Sequence, residues 1–213
     1  MSVKQITEAE QLARQWRAAH GTETAESAPP ATPEEPPAAA EPTPDFDTGK
    51  QAFQRGDYAA ALKQWRPLAE HGHATAQFGL GMMYANGHGV AKDSGEAVRW
   101  SLKAAEQGDL SAQYNLGNMC RRGQGVLQDH AEAVRWYRTA AVRGQALSQA
   151  ILGVMYANGL GGPGDVVQSY RWLILAARQG NKAAAKNREI MAGRMAAEQI
   201  REAENLAQDW TPE

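Results

Sequence analysis

A unit of 36 residues occurs three times in succession, beginning at His73, Asp109 and Gln145, and no other property of the chain restricts its fold as strongly. The copies share Gln77, Gln113 and Gln149, then Leu80-Gly81, Leu116-Gly117 and Leu152-Gly153, then Met83, Met119 and Met155. Further along they share Gly87, Gly123 and Gly159, then Asp93, Asp129 and Asp165, then Arg99-Trp100, Arg135-Trp136 and Arg171-Trp172. The pairs Ala104-Ala105, Ala140-Ala141 and Ala176-Ala177 follow, and Gly108, Gly144 and Gly180 close each unit.

Each unit reads as two helices joined by a loop. Leu80 and Tyr84 are four apart, with Gln77 and Gly81 on the same side, so the first helix has one packed stripe. Gly87 ends it by supplying the left-handed cap that other residues adopt only with strain. Asp93 opens the second helix, with Glu96 three residues later in a capping box; Asp129 with Glu132 and Asp165 with Gln168 repeat the arrangement. Neither helix buries its apolar face alone, so neighbouring pairs must stack into a continuous core, with the tryptophan column between helices. The expected fold is an all-α solenoid.

The pattern Ala76-Gln77-x-x-Leu80-Gly81-x-x-Tyr84-x-x-Gly87-x-Gly89-Val90-x-x-Asp93, continued by Ala97-x-x-Trp100 and Ala104-Ala105-x-x-Gly108, resembles the Sel1-like repeat, a branch of the tetratricopeptide-like helical repeats. The resemblance covers roughly residues 47–194, including the period, both glycine stops and the small-residue columns. It implies a right-handed superhelix of stacked helix pairs whose first helices line a concave face used for protein contacts. Two departures stand out: Cys120 replaces the expected tyrosine, and Gly162-Pro163-Gly164 replaces Val90-Ala91-Lys92, which predicts a different path for the third loop.

Four segments are expected: a helix over 1–20, a linker over 21–46, the repeat array over 47–194 and a capping helix over 195–213. The first is amphipathic, with Ile6, Ala9, Leu12, Ala13 and Trp16 on one side, and residues 5–16 match residues 199–210 almost position for position. That match suggests self-association through the terminal helices. Between Gly21 and Asp47 the chain turns to Ala, Pro, Glu and Thr, with seven acidic residues and no basic one. Such a stretch lacks the apolar side chains to offset its ordering entropy and is expected to be a disordered spacer. The array then begins with an incomplete unit, in which Asp57 falls in the column of Asp93 and Pro67 should bend or loosen a helix. In the last unit Leu173-Ile174-Leu175 replace Ser101-Leu102-Lys103 and Tyr137-Arg138-Thr139, so a surface taken as polar should be covered there, by a helix carrying Ile200, Ala203, Leu206, Ala207 and Trp210.

Chemistry is sparse. His71 and His73 are the only close histidine pair and lack a carboxylate or cysteine at ligand spacing, so no metal or cofactor is expected. The run Gly87-His88-Gly89-Val90-Ala91-Lys92 lacks the spacing of a phosphate loop. The Arg55-Gly56-Asp57 triplet reads as a turn and a helix cap, not as an adhesion motif. Cys120 lies beside Arg121 and Arg122, which would lower its thiol pKa, yet no base accompanies it, and a core role is the default. No catalytic residue is assigned. A net charge of −2 argues against nucleic-acid binding despite the five arginines of the second unit. There is no run of ~18 apolar residues for a membrane span. A charged start and a single cysteine point to the cytoplasm.

Comparing the copies separates fixed columns, which serve packing, from variable ones. The variable first-helix positions offer Phe78, Met82 and Asn86; Tyr114, Asn118, Arg121 and Arg122; and Val154 and Asn158, and these nine are the candidate partner-binding residues. Spacings of three and four put them on one face. Aromatic, methionine and arginine side chains there suit a protein partner. The expected function is a non-catalytic adaptor or scaffold. The alternative, drawn from secreted members of the resembled family, is a hydrolase of cell-wall or β-lactam substrates, against which the missing cysteine framework and nucleophile-base pair both speak.

Overall fold

The computed structural model describes residues 43–212, and among them every regular element is a helix. Ten follow in chain order: α1 Phe46–Gln54, α2 Tyr58–Glu70, α3 Ala74–Asn86, α4 Ser94–Glu106, α5 Leu110–Arg122, α6 His130–Val142, α7 Ala146–Ala157, α8 Val166–Arg178, α9 Lys182–Ala192 and α10 Ala197–Gln208. Each helix from α1 to α8 packs on the next, which makes the array a solenoid of helix pairs. The helix expected over 1–20 and most of the linker expected over 21–46 lie outside the described residues.

Glycine draws each pair together. A Cβ on Gly81 would stand 2.8 Å from Ser101 Oγ, on Gly117 2.8 Å from the Tyr137 ring, and on Gly153 2.8 Å from Leu173. Its absence lets one side chain of the second helix seat against the backbone of the first. Ser101, Tyr137 and Leu173 are accordingly buried, which corrects the expectation that Ser101 and Tyr137 stand in polar, outward columns. The real change lies two positions on, where Lys103 is half-buried, Thr139 is exposed and Leu175 is buried. Leu175 is covered because α10 folds back onto α8, placing Ala203 and Ala207, with half-buried Ile200 and Trp210, in the same apolar cluster.

Between units the contact is polar and periodic. The buried side chains of Gln77, Gln113 and Gln149 donate through Nε2 to the carbonyls of Ala69, Ala105 and Ala141, each at 3.0 Å. A buried amide of this kind contributes about 1 kcal/mol net, but costs more if its partner is removed. Two of the three are completed from the other side: Gln107 donates to Gln77 Oε1 at 2.6 Å, and Gln179 to Gln149 Oε1 at 2.8 Å. In the middle unit Arg143 stands at that place and donates to the Gly108 carbonyl instead, leaving Gln113 Oε1 buried without a partner.

The second helices start on half a capping box. Asp93, Asp129 and Asp165 accept from the backbone N–H groups of Glu96, Glu132 and Gln168 at 3.0, 2.9 and 2.9 Å. The return bond of the box is absent, because the N–H of each aspartate already donates to the carbonyl of Tyr84, Cys120 or Tyr156. The freed N3 side chains turn to the next turn of helix, where Glu96 pairs with Arg99 and Glu132 with Arg135. Asp57 caps α2 in the same manner by accepting from Ala60 N–H at 3.0 Å. Pro67 does not interrupt α2, which runs one turn beyond it to Glu70.

The third loop departs less than its Gly-Pro-Gly sequence suggests. It closes on the same Asp165-to-Tyr156 backbone bond as its counterparts. Gly161 keeps the approach made by Gly89 and Gly125, where a Cβ would collide with the backbone of the residue opening the preceding second helix, His130, Tyr58 and Ser94 respectively. All three have positive φ, so glycine is required twice over, by conformation and by space.

Candidate protein-binding face

The nine candidate residues fall on the first-type helices α3, α5 and α7 and their C-terminal ends, and the structure divides them into two kinds. Asn86, Arg122, Val154 and Asn158 are exposed, whereas Phe78, Met82, Tyr114, Asn118 and Arg121 are half-buried. Asn86, Asn118 and Asn158 each donate back to the carbonyl four residues earlier, on Met82, Tyr114 and Val154, at 2.8, 3.2 and 2.7 Å. Only in the middle unit does this become a network. Tyr137 donates its hydroxyl to Asn118 Oδ1 at 3.0 Å, and Arg121 approaches both the Tyr137 hydroxyl and Asn118 Oδ1 at 3.4 Å. Burial pushes the Tyr137 pKa up, against the opposing influence of Arg121, so the phenol stays protonated and donating. Asn118 and Arg121 are therefore held by their own fold, leaving Arg122 as the outward cation of the pair.

Sequence comparison missed one further first-type helix, α9. Asn181 stands one period after Gln145, and its side chain accepts from Ala184 N–H at 3.0 Å, as Asp109 does from Ala112 N–H at 2.8 Å. That register places Lys186, Ile190, Gly193 and Arg194 in the four variable columns, extending the face to α9 and its C-terminal end. The signal was the position of Asn181; it was obscured because Arg188 and Glu189 replace the Leu-Gly pair there. Ile190 is 46% exposed and Val154 in the same column is 36% exposed, with Leu147 two turns back on α7 at 52%. The described face thus exposes apolar side chains on its last two helices and cations beside them.

Other candidates are absorbed by the fold. His73 caps α3 by accepting from Ala76 N–H, and His71 Nδ1 pairs with the Pro67 carbonyl. Among the described residues no group of three or more His, Cys, Asp or Glu side chains is placed to hold a metal ion. Cys120 is buried, and desolvation, aided by Glu132 and Asp129, pushes its thiol up to about 12, the reverse of the lowering expected from Arg121 and Arg122. Trp136 is only half-buried, unlike Trp100 and Trp172. A separate cleft of about 940 Å³ opens between α6, the third loop and Trp210, where Arg138 donates to the Tyr156 hydroxyl and Arg171 lies over the Trp172 ring at 5.0 Å. No helix among the described residues is long and apolar enough to cross a membrane.

Stacked helix pairs with a periodic glycine contact and a variable first-helix face define an α-solenoid repeat protein. The Sel1 repeat family matches residues 74–109, 110–144 and 146–181, and the chain belongs to it. Among solved structures it is similar to a Sel1 repeat protein from Oxalobacter formigenes, at 31% identity and TM-score 0.66, over 68% of this chain and 60% of that one. It thus spans less than two thirds of that relative's length. Weaker matches are c5321, a protective antigen of uropathogenic Escherichia coli with the same repeat fold (30% identity, TM-score 0.47, 78% of this chain and 44% of that one). Another is cysteine rich protein B of Helicobacter pylori (22% identity, TM-score 0.46, 65% of this chain and 92% of that one). No curated protein matches. Proteins built from Sel1 repeats generally mediate protein–protein interactions and are typically non-catalytic scaffolds.

Proposed function

We propose that this chain is a non-catalytic adaptor that holds a segment of a partner protein against its first-type helices. The observation that carries this reading is the contrast between columns. On α3, α5 and α7 the columns of Gln77, Leu80, Gly81 and Met83, which repeat identically, are buried, while the variable columns of the face stay partly or fully open and present Phe78, Met82, Arg122, Val154 and Asn158. Packing explains the first set and not the second. The single buried cysteine supports a reducing, cytoplasmic setting.

The test is capture of partners from native lysate by the full chain, quantified by mass spectrometry, against two groove variants, Arg122→Glu and Val154→Asp, and a control on the other side, Arg135→Glu. All three sites are exposed, so melting temperatures should stay within about 2 °C. The same partners lost from both groove variants and kept by the control would support the proposal. Retention by the groove variants would remove it.

A further inference from the structure

The variable face has a charge of one sign. Its four columns across α3, α5, α7 and α9 comprise sixteen positions, holding Arg121, Arg122, Lys186 and Arg194 and no acidic residue. None of these four cations makes an ion pair among the described residues, whereas Arg99 and Arg135 on the second helices are matched by Glu96 and Glu132. The remaining groove side chains are apolar or amide, with Val154 and Ile190 exposed in one column. A surface of this composition fits an extended segment that alternates carboxylates with small apolar residues.

The chain contains such a segment. Residues 21–42 hold five glutamates, six prolines and no basic residue. Their downstream end is fixed at the array, since Asp45 caps α1 by accepting from Thr48 N–H at 2.7 Å. At about 3.3 Å per residue this stretch reaches up to about 70 Å. Four first-type helices at about 10 Å spacing need only about 30 Å. Because the segment is tethered, its effective concentration at the face is on the order of millimolar, enough to hold a weak electrostatic contact closed.

We propose that residues 21–42 lie in cis along the basic, apolar face of α3, α5, α7 and α9 and compete there with the partner. This rests on the face being the binding surface, and it adds the partner's chemistry: an acidic segment with small apolar residues, which displaces the tract. Glu34 and Glu35, flanked by Pro33, Pro36 and Pro37, form the densest pair of charges to meet Arg122 and Lys186.

The experiment uses the full chain with a nitroxide attached at Thr32→Cys; Cys120 stays unlabelled because it is buried and protonated. Expected is selective broadening of the backbone amide signals of Val154 and Ile190, and its loss when Glu23, Glu26, Glu34, Glu35 and Glu41 are all changed to glutamine. Loss is also expected in about 1 M salt, where the screening length falls to about 3 Å. Broadening of the second-helix amides instead, none at all, or broadening that survives neutralisation overturns the inference. The capture assay separates this from the adaptor reading. Partner loss in Arg122→Glu without any selective broadening leaves the adaptor and removes the tract; selective broadening with capture unaffected by Arg122→Glu leaves the tract and removes the adaptor.

Discussion

The middle repeat and its two neighbours are built on one plan, yet they fill the same seats with different chemistry. Against the glycine of the first helix, the outer units place Ser101 and Leu173, and the middle one places Tyr137 with its hydroxyl bonded to Asn118. At the second helix's end the outer units place Gln107 and Gln179 on the buried glutamine, and the middle one places Arg143 on an exposed carbonyl. A shared backbone therefore does not imply shared energetics. The middle unit relies on one large, hydrogen-bonded aromatic and lacks a bond that its neighbours have.

The sharpest break in this comparison comes from the glycine-facing seat. Tyr137→Ala empties a fully buried aromatic site and leaves Asn118 Oδ1 without its phenol, for an expected cost of about 5 kcal/mol. Ser101→Ala removes a hydroxyl that is buried and unpartnered, so its cost should lie within about 0.5 kcal/mol of zero. Urea titrations of the two variants compare them directly. Similar losses would mean that the two seats are equivalent after all.

The tryptophan column sharpens the same point from the opposite side. Trp172 is 3% exposed in the last unit's core, and its replacement by alanine should cost about 4 kcal/mol. Trp136 is half-buried, and Trp136→Ala should cost about 2 kcal/mol because less apolar surface returns to water. Equal shifts in thermal unfolding would contradict the burial difference. Smaller still, Asp129→Ala and Asp165→Ala should each cost about 1 kcal/mol, since each removes one carboxylate cap of the same kind. Here the copies should agree, which provides the control.

Repetition made the helix pairs, their caps and their glycine stops legible before any coordinates, because a residue that recurs at one period answers a local backbone demand. What repetition hid was anything specific to one copy. Ser101 and Tyr137 look polar in the sequence, and only the missing Cβ of Gly81 and Gly117 shows that both seats are buried. The N3 glutamates look like box partners, and only the loop carbonyls of Tyr84 and Cys120 show that the cap N–H is already taken. Cys120 stands beside two arginines in the sequence, yet burial, with Glu132 and Asp129, pushes its thiol up. Of the candidate face, the columns were legible from their variability; the intramolecular engagement of Asn118 and Arg121, and the extension onto α9, were not.

The smallest effect tests the comparison at its most exposed point, the substitution of Arg143 in the middle unit. Arg143→Gln should let the new carboxamide reach Gln113 Oε1, as Gln107 and Gln179 reach Gln77 and Gln149. The bond it gives up, from Arg143 to the Gly108 carbonyl, lies at the surface, where water replaces it at little cost. The bond it gains satisfies an acceptor buried without a partner. The expected balance is a gain of about 1 kcal/mol, or about 2 to 4 °C in melting temperature for a domain of this size. The reciprocal change, Gln107→Arg, should lose a similar amount by orphaning Gln77 Oε1. If Arg143→Gln instead lowers the melting temperature, the arginine's hold on the Gly108 carbonyl outweighs the buried vacancy, and the middle repeat is adapted to its arginine, not short of a glutamine.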